Sequence, residues 1–153
     1  MKPDPDYPDH EFRRSVVLEA CGITRGQLDT WEISGLWRYC GPDTRHRLFS
    51  FLDLFEFALV SKMLGAGIST SAAWSFLNQI AEHIRKWGAR GVRPHGYLIL
   101  RIGPSHQGFR FVEQLDSLPR VLRATSLEWD VCVILPLHRI VADLQKRLAG
   151  KTE

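Results

Sequence analysis

The run Leu52 to Leu64, "LDLFEFALVSKML", limits the fold more than any other part of this chain. Leu52, Leu54, Phe55, Phe57, Ala58, Leu59, Val60, Met63 and Leu64 leave almost no polar stripe. Ser50 offers a hydroxyl cap in front of the run, and Gly65 and Gly67 close it. A helix apolar around most of its circumference must be covered on several sides, so the remaining elements have to wrap it. The chain has 153 residues and 44% hydrophobic content, enough for such a core.

Before this run, Phe12, Val16, Val17, Ala20 and Cys21 fall at helical spacing and Gly22 is a stop, predicting a first helix over 12–21. Thr24 caps a second short helix, whose Leu28 and Trp31 lie three apart on one inward face, and Gly35 ends it. Leu36 to Phe51 mixes aromatics, a "GPD" turn and the basic cluster Arg45-His46-Arg47, and it reads as a β-hairpin with its tip at 41–43. After the apolar run, Ser69 or Thr70 caps an amphipathic helix that turns Ala72, Ala73, Phe76, Leu77, Ile80 and Ile84 inward and runs to about Trp87.

Beyond "GARGVRPHG" at 88–96, the candidate linker, the apolar period changes from 3.6 to 2. Tyr97 to Ile102, Phe109 to Val112 and Asp130 to Leu135 read as three strands. Pro136 opens a last helix with Leu137, Ile140, Val141, Leu144 and Leu148 at heptad-like spacing. The expected organisation is a flexible lead-in at 1–10, a winged helix-turn-helix domain at 11–87, a linker at 88–96 and an α+β module at 97–149. The fold class is mainly α with a small α+β C-terminal module.

The order of helix, glycine turn, helix, basic hairpin, apolar helix and amphipathic helix suits DNA. A recognition helix fits the major groove, and a wing with arginines reaches phosphates beside it. The runs "LEACGITRGQLDTWEISGLWR" and "RHRLFSFLDLFEFALVSKMLGAGIS" resemble the DNA-binding domain of MerR-type transcriptional regulators over about residues 16–84. Ala20, Gly22, Ile23, Thr24, Leu28, Trp31, Glu32, Gly35, Leu36, Arg47, Asp53, Leu54, Leu64 and Gly67 carry that resemblance in register. It implies a dimeric, sequence-specific regulator that binds double-stranded DNA; no cofactor is expected. One departure stands out: Asp29 occupies the place where the family usually has an arginine.

The candidate DNA-binding residues are Thr24, Arg25, Gln27 and Asp29 on the second helix, with Asp29 read as an acceptor from a cytosine amino group. Arg38, Tyr39, Arg45, His46 and Arg47 form the wing surface. Trp31 is read as core. The net charge of only +3 is compatible with a polyanionic partner without requiring one.

The C-terminal module is the candidate for dimerisation, in place of the long coiled-coil helix of MerR-type proteins, or for binding a protein partner. The second reading would make the chain a phage, plasmid or toxin-antitoxin accessory protein. Cys21, Cys40 and Cys132 are too widely spaced for a zinc site, and the histidines show no HxxxH or HxH pattern, so no metal is expected. No phosphate-binding loop, dinucleotide fingerprint or nucleophile elbow is present, which argues against an enzyme. No apolar run reaches the roughly 18 residues of a membrane span, and "MKPDPDYPDH" is unlike a signal peptide, so a cytoplasmic protein is expected.

Overall fold

The computed structural model describes residues 12–38, 47–103, 107–117, 119–120, 131–149 and 151. Among these, five helices of eight residues or more and two small antiparallel sheets follow in the order β1 (Phe12–Arg13), α1 (Arg14–Cys21), α2 (Arg25–Ile33), β2 (Leu48–Phe49), α3 (Phe51–Gly65), α4 (Thr70–Ala89), β3 (Tyr97–Ile102), β4 (Gln107–Val112), β5 (Val131–Pro136) and α5 (Leu137–Leu148), with helical residues also at Leu115–Ser117 and 119–120 between β4 and β5. The mixed α and β class matches the sequence reading at this level. No helix among the described residues is long and apolar enough to cross a membrane.

α3 is the centre of the molecule. Ser50 and Asp53 form a capping box at its start, each satisfying a backbone amide of the other's turn. Its Leu54, Phe55, Phe57, Leu59, Val60 and Met63 are all fully buried. Phe57 is the hub of an aromatic cluster, with ring centroids 5.1 Å from Trp37, 6.1 Å from Phe49, 6.2 Å from Trp31 and 6.4 Å from Trp74. α4 lies along α3, capped by Ser69, and buries Ala73, Trp74, Phe76, Leu77, Ile80 and Ile84.

Two local expectations are corrected. Phe12 and Arg13 do not open α1; they form an extended pair that hydrogen-bonds antiparallel to Leu48–Phe49. The strand read as the second arm of a hairpin over 36–51 therefore pairs with the chain start, and Leu36 to Arg38 carry no strand. A two-residue strand has too little periodicity to reveal its partner, which is chosen by burial of Phe12 and Phe49 in the shared core. The hairpin tip at 41–43 lies outside the described residues.

The second sheet has the order β4-β3-β5. β4 starts at Gln107, inside the expected turn, because the ladder with β3 continues to the Ile102–Gln107 pair. Leu98, Leu100 and Leu135 join the main core, together with partly buried Phe109, Phe111 and Val133. Ile99 and Val112, on the opposite face, form a small second cluster. His83 and Trp87 of α4 pack against β4, with Trp87 4.9 Å from Phe111 and His83 5.9 Å from Phe109 between ring centroids.

The stripe on α5 is spent inside the chain. Leu137, Ile140, Val141, Leu144 and Leu148 are each at most 6% exposed and pack in a single core cluster with residues of α1 and α3. Within the C-terminal module, the candidate for dimerisation, this stripe is therefore not the surface that could meet a second copy, because it is buried within the chain. Arg147 donates to the Ala20 carbonyl at 2.8 Å, and Lys151 pairs with Glu19. At the other end of α5, Pro136 has no capping side chain, and the Leu137 amide donates instead to the Gly96 carbonyl at 3.0 Å.

Candidate nucleic-acid interface

α1 and α2 are joined by Gly22-Ile23-Thr24 alone. Gly22 adopts φ 65° and ψ 35°, a left-handed conformation that ends α1 and lets its amide return to the Leu18 carbonyl. Ile23 is buried and pins the turn to the core. Thr24 is extended, and its hydroxyl accepts from the Gln27 amide at 3.1 Å while the Gln27 side chain accepts from the Thr24 amide at 2.8 Å. This reciprocal cap fixes where α2 starts and how it leaves the turn.

Leu28 and Trp31 are 1% and 2% exposed, as read from their spacing. They leave Thr24, Arg25, Gly26, Gln27 and Thr30 on the outward face. The Arg25 side chain is 80% exposed and extends from the first turn. Ile33 is 87% exposed, an apolar residue on the rim of this face that the sequence reading did not single out. Its signal was visible: it falls outside the Leu28/Trp31 stripe.

The charged residues are arranged differently from the sequence reading. Asp29 forms an ion pair with Arg14 at the start of α1, and Arg25 lies 3.8 Å away on the same carboxylate. Asp29 thus braces α1 against α2, and Arg14, not among the candidate residues, is its counter-ion. Glu32 forms the corresponding pair with Arg47, just before β2. Each of these bonds leaves the side chains partly accessible, so the four residues form a mixed-charge band rather than an array of bare cations. Gln27 is likewise engaged, through its oxygen, in the helix cap.

The candidate residues thus fall into three groups. Thr24, Arg25, Gln27 and Asp29 share α2. Arg47 is drawn to the last turn of α2 by Glu32, and Arg38 is exposed where the chain leaves α2. Tyr39, Arg45 and His46 lie outside the described residues.

Of the cysteines, Cys21 is buried and its thiol donates to the Leu54 carbonyl at 3.3 Å; burial pushes its pKa up to about 12 despite the nearby Arg147 charge. Cys132 is exposed on β5, and its pKa is also raised by partial burial. In comparisons with known proteins, the chain matches no family model and no curated protein.

Proposed function

We propose that the chain is a sequence-specific DNA-binding protein, a transcriptional regulator acting as a dimer, with a MerR-like helix-turn-helix head. The observation that carries this reading is α2 itself. It is a capped helix held to its predecessor by a three-residue glycine turn, with its apolar face buried and Arg25, Gln27 and Thr30 turned outward. A short, rigidly seated helix with small and polar outward residues is what major-groove entry requires.

The braces change the roles within this reading. Arg25 is the foremost phosphate or guanine contact. Gln27 keeps its amide donors available while its oxygen holds the cap. Asp29 positions Arg14 and Arg25, and Arg47 reaches phosphate from its seat on Glu32. Binding to duplex DNA should weaken steeply as salt rises, and Arg25→Ala should lower the slope of log affinity against log salt by about 1. Fluorescence anisotropy with random and genomic duplexes checks this, and an absence of binding at low salt sinks it. Selected sites with two-fold symmetry and a fixed half-site spacing would report the dimer.

A second reading rests on the edge strand β5, where Val131 is 47% and Ile134 37% exposed. It is that of an accessory protein of phage, plasmid or toxin-antitoxin type whose C-terminal part docks a protein. A stoichiometric partner lost on Val131→Lys, with DNA affinity unaffected by Arg25→Ala, would favour it over the regulator.

A further inference from the structure

α2 carries two residues that nothing inside the chain explains. Ile33 is 87% exposed, while the other large exposed hydrophobics among the described residues lie between 36% and 47%. Very little of the chain covers it, so packing does not account for an isoleucine there. Helix propensity does not either, because a β-branched side chain loses rotamer freedom in a helix. Gly26 is the second. It sits in the first turn of α2 without a positive φ, and an added Cβ would meet nothing within 4 Å. Neither backbone conformation nor crowding requires a glycine, although glycine is among the weakest helix formers.

The two lie on one line. At 3.6 residues per turn, positions 26, 30 and 33 fall within about 60° of one another, opposite the buried pair Leu28 and Trp31. Gly26, Thr30 and Ile33 are all exposed. Each is a poorer helix former than alanine or leucine, and each occupies a surface position where a strong former could stand at no cost to packing. The outermost line of α2 is thus bare at its start and apolar at its end, and it carries no charge. Arg25 and Gln27 stand about 100° to either side of Gly26, so the polar groups flank this line rather than form it.

What such a line would meet follows from the DNA-binding reading, on which this inference rests. The thymine C5 methyl is the apolar group that the major groove presents among its hydrogen-bonding base edges. Gly26 and Ile33 are separated by about 10 Å along the axis at 1.5 Å per residue, inside the groove's width of about 12 Å. A first turn that closes on the base edges through a residue without a side chain brings the last turn over neighbouring base pairs. We propose that Ile33 is a specificity-determining residue that packs on the C5 methyl of a thymine, while Gly26 lets the start of α2 close on the groove floor. A purine edge beneath Ile33 would lose its water without gaining a partner.

The test uses the full chain. Duplexes are selected from a random-sequence library, and the tightest binder is remade with each thymine replaced in turn by deoxyuridine, which removes the C5 methyl and leaves pairing intact. Fluorescence anisotropy should show a loss of about fourfold at one thymine in each half-site, as expected for burial of one methyl group. Ile33→Ala should bind the thymine duplex with at least that loss and should not distinguish it from the uracil duplex, whereas Ile33→Val should keep the distinction. Arg25→Ala should weaken both duplexes alike. Gly26→Ala should weaken both by about tenfold, the effect of an unaccommodated methyl group at a close contact. It should not lower the melting temperature, since the added methyl group meets nothing in the chain.

An absence of binding to any duplex at low salt removes the DNA-binding reading and this inference with it. Binding that falls with salt and with Arg25→Ala, yet is indifferent to uracil at every thymine, keeps that reading and overturns this inference. The proposal is equally overturned if Ile33→Ala still discriminates, or if Gly26→Ala binds as tightly as the natural chain. Loss of self-association in Ile33→Ala by sedimentation, with thymine discrimination intact, would overturn it by placing Ile33 at a contact between copies of the chain.

Discussion

At the scale of single residues, burial of the Glu56 carboxyl makes stability depend on pH. Its carboxyl is raised from 4.5 to about 7, so the folded chain holds this proton at pH values where the unfolded chain has released it. Its contribution is fully present below about pH 4.5, declines as pH rises through 7 and is flat above that. The amplitude is on the order of 3 kcal/mol, and Glu56→Gln should remove this component from urea-unfolding curves measured between pH 4.5 and 8. Thiol chemistry separates the two described cysteines. Cys132, exposed on β5, should alkylate in the native state, though more slowly than a free thiol because its pKa is raised, whereas Cys21, buried and raised to about 12, should react only on unfolding, as mapped by mass spectrometry. Gly22→Ala should cost about 1–2 kcal/mol by thermal melting, because φ 65° disfavours any side chain. An added Cβ there would meet nothing closer than the Arg147 guanidinium at 3.9 Å, so the cost is conformational rather than steric.

At the scale of elements, α2 depends on its cap more than on its charges. Thr24→Ala should destabilise the chain by about 1 kcal/mol, through loss of the bond to the Gln27 amide. The Arg14–Asp29 pair is part-exposed and should contribute less than about 1 kcal/mol. Asp29→Asn should therefore leave the melting curve nearly unchanged while weakening binding to duplex DNA, since Arg14 and Arg25 lose the carboxylate that positions them. Tighter binding at low salt would argue instead that Asp29 acts chiefly as a repelling charge beside Arg25. The inward face of α2 was legible because Leu28 and Trp31 repeat at helical spacing, a local property. The pairing of Asp29 with Arg14 and Glu32 with Arg47 was not, because each spans 15 residues and depends on how the helices dock. The apparent oddity of an acidic residue on a candidate recognition helix dissolves once its counter-ion is seen on α1.

For the whole molecule, the terminal helix is the element on which the rest leans. A chain ending at Pro136 should lack a cooperative transition and give collapsed amide spectra, because the apolar surface that α5 covers on α1 and α3 would face water. Burying each of its Leu, Ile and Val side chains is worth about 1.5–3 kcal/mol, and five of them together rival the roughly 5–15 kcal/mol by which a typical domain is stable. The sequence by itself determined where the five long helices lie to within a few residues, that α3 is central, that α4 and α5 are amphipathic, and that Thr24 and Ser50 cap helices, while leaving the cap of α4 open between Ser69 and Thr70. These follow from periodicity and from side-chain chemistry within one turn. Only the tertiary structure decided that Leu48–Phe49 pairs with Phe12–Arg13, that α5 spends its apolar stripe on α1 and α3, and that Asp29 pairs with Arg14 and Glu32 with Arg47. Such partnerships join positions as much as 127 residues apart, as between Arg147 and Ala20, and are settled by how surfaces pack. No local pattern in the chain encodes that choice.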